Sequence, residues 1–168
     1  MEPQPLDRNQ LRRMIADAFA GTAYPGDAHI AQNLECCDEC RYTDDFFRGQ
    51  GWQELAQGGE RLPTGWGGLS FLTPEAWRFY LPAYLLAVLR DGQDDDAARD
   101  AAGSVMYLLT PPGPDLKDYF QERVGGLSAA QRRAIAAFVD YQCRTYPEEY
   151  EDERPDLVRF WHEPATET

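Results

Sequence analysis

The chain has 168 residues, enough for one domain with a buried core, and its 43% hydrophobic and 12% aromatic content excludes wholesale disorder. Acidic residues outnumber basic ones 29 to 16, for a formal net charge of -13, which repels phosphate backbones and anionic membrane surfaces and favours basic partners. No stretch reaches the roughly 20 uninterrupted apolar residues of a membrane helix. The N-terminus also lacks the basic, apolar, small-residue order of a secretory signal, so the chain is expected in the cytoplasm with its four cysteines as thiols.

The first element is read at Asp7, which can cap a helix in which Leu11, Met14, Ile15, Ala18 and Phe19 recur at helical spacing before Gly21 closes it. Pro25-Gly26-Asp27 is a breaker. A second helix is expected from about Asp38, aligning Cys40, Phe46 and Phe47, and ending at Gly49-Gln50-Gly51; Trp52 and Leu55 suit a further short turn of helix. Residues 57–68, rich in glycine around Trp66, read as a loop.

The next block is the most apolar of the chain. Thr73 suits an N-cap, Pro74 the first helical position and Glu75 the positive end of the helix dipole. Trp77, Tyr80, Leu81, Tyr84, Leu85 and Val88 form one stripe, and Phe79, Pro82, Leu86 and Leu89 another on the opposite side; a helix apolar nearly all round belongs in a core. Pro82 removes one amide donor and crowds the Arg78 carbonyl, so a kink is expected there; a shape adjustment in a helical core is the plainer reading, and that carbonyl with nearby tyrosine hydroxyls facing a pocket is the alternative.

A helix beginning at Asp94 to Asp96 carries the apolar run from Val105 to Leu109 and stops at Pro111-Pro112-Gly113-Pro114. Leu116, Tyr119, Phe120 and Val124 predict a short helix. Ser128 with Gln131 matches a capping box for a helix through Ile135, Phe138, Val139 and Gln142 to about Tyr146. Leu157, Phe160 and Trp161 then dock the tail as a last short helix. The whole predicts one domain over 1–168, with flexible ends at 1–7 and 163–168. It is a mainly α bundle around a kinked central helix at about 73–90, with at most a minor β element.

Three groups carry candidate chemistry. Cys37 and Cys40, in the run Glu35-Cys36-Cys37-Asp38-Glu39-Cys40, have the spacing that lets two thiolates reach one zinc ion; a second ligand pair is missing from the sequence, and buried thiols are the plainer reading. His29, which Asp27 can orient, and His162 stand without a visible catalytic partner, and a structural or exposed place is the plainer reading of both. Two acidic clusters remain. Asp91, Asp94, Asp95, Asp96 and Asp100 form the first; Glu148, Glu149, Glu151, Asp152, Glu153 and Asp156, with Tyr146 and Tyr150 among them, form the second. Carboxylates steer a basic partner and tyrosine rings supply rigid contact area, so Asp94, Asp95, Asp96, Tyr146, Glu148, Glu149, Tyr150, Glu151 and Asp152 are the candidate partner-binding residues. A solvated face that keeps the protein soluble is the alternative.

The block Leu72-Thr73-Pro74-Glu75-Ala76, followed by Trp77, the Phe79-Tyr80 pair and Leu81-Pro82, resembles a family of small bacterial proteins without an assigned activity. In its members a segment like 24–27 (Tyr-Pro-Gly-Asp), a cysteine-containing helix and a segment like 46–52 precede the block, so the likeness covers residues 19 to 89. It carries over no catalytic residue. Size, charge and soluble character also resemble immunity proteins of bacterial toxin systems, which bind and block a cognate toxin. The leading expectation is therefore a non-enzymatic acidic binding protein of that type. The alternative is a metal-binding or enzymatic domain with its site near Cys37, Cys40 and the Pro82 kink.

Overall fold

A computed structural model describes residues 5–58, 62–63, 68–91, 95–152 and 154–163, and at 95–98 and 154 it covers the backbone alone. The helices are α1 (Arg8–Phe19), α2 (Asp38–Phe47), α3 (Trp52–Gln57), α4 (Pro74–Val88), α5 (Asp95–Leu109), α6 (Lys117–Val124), α7 (Ala129–Thr145) and α8 (Arg154–His162). Among the described residues the β content is a single antiparallel bridge between Ala31 and Leu72. The chain is thus mainly α, as its spacing predicts. Trp66 and Asp94 lie outside the described residues.

Helix α4 is the hub, with α1, α3, α5 and α6 packed around it. It starts where the sequence places its cap: the Thr73 hydroxyl accepts from the Ala76 amide at 3.1 Å, with Pro74 opening the helix. Nine of its residues, Ala76, Trp77 and the unbroken run 79–85, are buried. Pro82 deprives the Arg78 carbonyl of its intrahelical donor, yet the helix continues to Val88.

Burial on all sides obliges every polar group on α4 to find a partner within the protein. The Tyr80 hydroxyl donates to the carbonyls of Phe47 (2.6 Å) and Gln50 (2.9 Å), and the Tyr84 hydroxyl to that of Pro63 (2.6 Å). These bonds accord with the plainer reading of Pro82 as a shape adjustment in the core: the tyrosine hydroxyls near it are committed to buried backbone and not to a pocket. Burial accordingly pushes both phenols far above their ordinary pKa, so they remain neutral donors. The returning segment packs tightly, since a Cβ at Gly68 would lie 2.7 Å from the Pro63 carbonyl oxygen.

Arg78, on the same helix, reaches the C-terminus of α6 and donates to the carbonyls of Glu122 (2.9 Å) and Arg123 (3.2 Å). Arg123 is itself buried. It donates to the Leu72 and Tyr119 carbonyls at 2.7 and 3.0 Å, and its guanidinium lies 3.4 Å from the centre of the Tyr119 ring. Tyr119 in turn donates to the Ser70 carbonyl at 2.5 Å. The segment entering α4 is therefore fastened to α6 by side chains from both.

Capping boxes begin α1, where Asp7 pairs with Gln10, and α7, where Ser128 pairs with Gln131. The Gln131 amide also donates to Thr22 at 2.8 Å, joining the start of α7 to the end of α1. Helix α8 lies on α7, with the Trp161 indole donating to the Leu109 carbonyl at 2.9 Å. One hydrophobic cluster runs from Leu11 to Trp161.

Trp77 is only 1% exposed, so Trp77→Ala is expected to cost about 3–5 kcal/mol in denaturant unfolding. A cost below about 1 kcal/mol would mean that this face of α4 is not core.

Candidate functional site

The stretches that carry the family resemblance converge. The Tyr24 hydroxyl donates to Asp27 at 2.6 Å and accepts from the Gly49 amide at 2.7 Å, while its ring meets Phe79 edge-on at 5.5 Å. Gly49 has φ +72, which glycine adopts without strain. Thr73 donates through its hydroxyl to the His29 carbonyl (2.6 Å) and through its amide to the Ile30 carbonyl (2.9 Å). Phe47, Tyr80 and Phe79 stack in sequence, with centroids 4.5 and 4.8 Å apart. Asp44, buried on α2, pairs with Arg48 one turn on. These motifs form a structural staple of turns onto α4. Asp27 serves Tyr24 within it, and His29 is exposed, in keeping with the plainer reading of that histidine.

The outer face differs. Gly103, Met106 and Tyr107 of α5, the proline turn 111–113, Leu116, Tyr119 and Phe120 line a groove of about 540 Å³ that Tyr150 closes. Tyr107 is 76% exposed and Leu116 51%, large apolar groups left to solvent. Leu116, read from its spacing as part of a helical stripe, sits in the tight turn before α6 instead.

Tyr150 is also a correction. Expected to offer its ring to a partner, it is 6% exposed and joins the core cluster, because the turn 147–150 folds it inward. Its neighbours Glu148, Glu149, Glu151 and Asp152 stay exposed. Arg99 on α5 gathers part of this segment: it lies 3.7 Å from Glu149 and 5.5 Å from the centre of the half-buried Tyr146 ring. Asp95 and Asp96 open α5, and Asp100 is exposed one turn on. Asp91 is separate, held by Arg8 (2.5 Å) and Arg12 (3.3 Å). The second acidic cluster thus meets α5 through Arg99, and Tyr107 and Leu116 are exposed apolar groups that acidic spacing could not reveal.

The thiols form the third group. The Sγ atoms of Cys36, Cys37 and Cys40 all lie within 4.8 Å of one another, with Cys36 and Cys40 4.0 Å apart. The sequence pattern points to Cys37 and Cys40; the turn 33–36 adds Cys36. Burial first, then the neighbouring thiols, push Cys40 up to about 11. Cys143 is buried on α7 and outside the group. His162, which has no partner legible in sequence, meets Asp140 at 2.9 Å on the surface.

A helical domain with a stapled core, a largely apolar groove and a thiol trio is the class this geometry defines. The chain belongs to a family of unknown function (DUF6714), whose model matches residues 7–165. No curated protein and no solved structure matches it. Among the described residues no helix is long and apolar enough to cross a membrane.

Alkylation of the native, reduced protein should follow exposure: Cys36 first, Cys37 next, Cys40 slowly, and Cys143 only on unfolding. Mass mapping of timed samples checks this order; labelling of Cys143 as early as Cys36 would contradict the packing of α7.

Proposed function

We propose that this protein is a non-enzymatic acidic binding protein of the immunity type, which captures a basic toxin domain in the groove between α5 and α6 and blocks it. The supporting observation is a groove that carries exposed Tyr107 and Leu116 and is lined by Tyr150, whose sequence neighbours Glu148, Glu149, Glu151 and Asp152 are exposed carboxylates. Apolar anchors in a recess supply binding energy, and the surrounding carboxylates raise the encounter rate with a positive surface. At formal net charge -13 the long-range field has the same sign as this local one.

Under this reading the contact residues are Tyr107, Leu116 and Tyr119, with Tyr146, Glu148, Glu149, Glu151 and Asp152, which flank the groove-lining Tyr150 in sequence, as the acidic part. Asp95 and Asp96 lie about 16–18 Å along α5 from Tyr107, by helical rise, and act by steering. Tyr150 supports the groove from below. The protein works in the cytoplasm, where a toxin of its own cell would otherwise act.

The test is titration of the full chain with candidate basic toxin domains, at low and at high salt. Association should slow steeply as salt rises. Tyr107→Ala with Leu116→Ala should weaken binding by about 2 kcal/mol or more, and Glu148→Lys with Glu149→Lys should slow association at least about tenfold. Gly103→Leu, whose side chain would enter open space in the groove, should block binding without unfolding the chain. No complex at either salt overturns the proposal.

A further inference from the structure

The cysteine trio shares no residue with the groove and calls for an account of its own. Around a tetrahedral zinc ion with Zn–S bonds of about 2.3 Å, sulfurs stand about 3.8 Å apart. Cys36 and Cys40 are already at 4.0 Å, and no pair in the trio exceeds 4.8 Å. The approach is built into the backbone. The Cys36 amide donates to the Asn33 carbonyl at 3.3 Å, the Glu35 amide to the Asn33 side chain at 3.0 Å, and the Arg41 guanidinium to the Leu34 carbonyl at 3.1 Å. Cys37 occupies the N-cap of α2, and Cys40 lies on its first turn. The loop and the helix therefore present three sulfurs to one point.

We propose that Cys36, Cys37 and Cys40 form a three-thiolate zinc site whose fourth coordination position is open. Among the described residues no imidazole, carboxylate or fourth thiol joins the group, and Cys36 is exposed, so water or a donor from another molecule can complete a tetrahedron. Thiolates select a soft cation such as zinc over magnesium or calcium, which the many carboxylates of the chain would hold only loosely. On binding, the three thiols lose their protons to solvent and three S–Zn bonds form, leaving the site with one net negative charge. Cys37 at the N-cap and Cys40 on the first turn put that charge beside the N-terminus of α2, where the helix dipole favours it. The bound ion would lock the turn 33–37 onto α2.

The site stands or falls independently of toxin binding. The experiment uses the full chain, reduced with a phosphine, stripped with a chelator, and titrated with zinc by calorimetry and with cobalt(II) by absorption, with magnesium as control. Expected are one zinc per chain, a heat that varies with buffer ionisation because protons are released, and a thiolate-to-cobalt band. Cys36→Ser should lower that band by about a third, one sulfur of three. It should also weaken zinc binding by more than about 100-fold, the upper end for losing a mere supporting partner.

Cys36 is exposed, so this variant should melt like the metal-free parent. A second readout needs no variant: zinc should shield Cys36 of the unaltered chain from alkylation. Zinc uptake well below one ion per chain, magnesium binding as tightly, an undiminished band in Cys36→Ser, or loss of two free thiols without metal uptake would each overturn the proposal.

Discussion

The requirement that Tyr80 bury its ring in the middle of the protein and still satisfy its hydroxyl constrains most of what surrounds it. An unpaired hydroxyl in such a place costs about 1–3 kcal/mol, and the acceptors it meets are loop carbonyls. Those of Phe47 and Gln50 take the bond, which fixes where α2 ends and α3 begins. Tyr84 does the same for the segment at Pro63, and Thr73 for the one at His29. One helix thereby sets the positions of three loops.

This constraint separates fold from function. The stretches around Tyr24, Gly49 and the Phe79-Tyr80 pair hold the turns to α4. Their hydrogen bonds end on one another and on nearby backbone. What faces outward is built from other material: a groove whose walls are α5, the proline turn and α6, and a thiol trio on the far end of α2. Both rest on elements that α4 aligns, and neither takes a side chain from α4 itself.

Much of the architecture was legible because helix ends are written locally. Asp7 with Gln10, Thr73 with Pro74, and Ser128 with Gln131 all cap the helices their spacing predicts, and the proline run after Leu109 ends α5. The site was less legible, since it depends on contacts far apart in sequence. Tyr150 stands among carboxylates and reads as surface, but the turn before it rotates the ring into the core. Tyr107 lies in an apolar run and reads as core, yet occupies the outer side of α5. Spacing pairs Cys37 with Cys40, whereas Cys36 joins them through a turn that no periodicity describes. Likewise Asp140 and His162 meet only because α8 folds back on α7.

Native-state hydrogen exchange tests most directly whether α4 is the stable frame on which a more labile working face is mounted. The amides of Trp77, Phe79, Tyr80, Leu81, Tyr84 and Leu85 should exchange only through global unfolding, while those of the groove turn at 113–116 and of the segment 148–152 should exchange through local opening. Exchange of the α4 amides by local opening, at free energies no higher than those of the groove, would contradict the account.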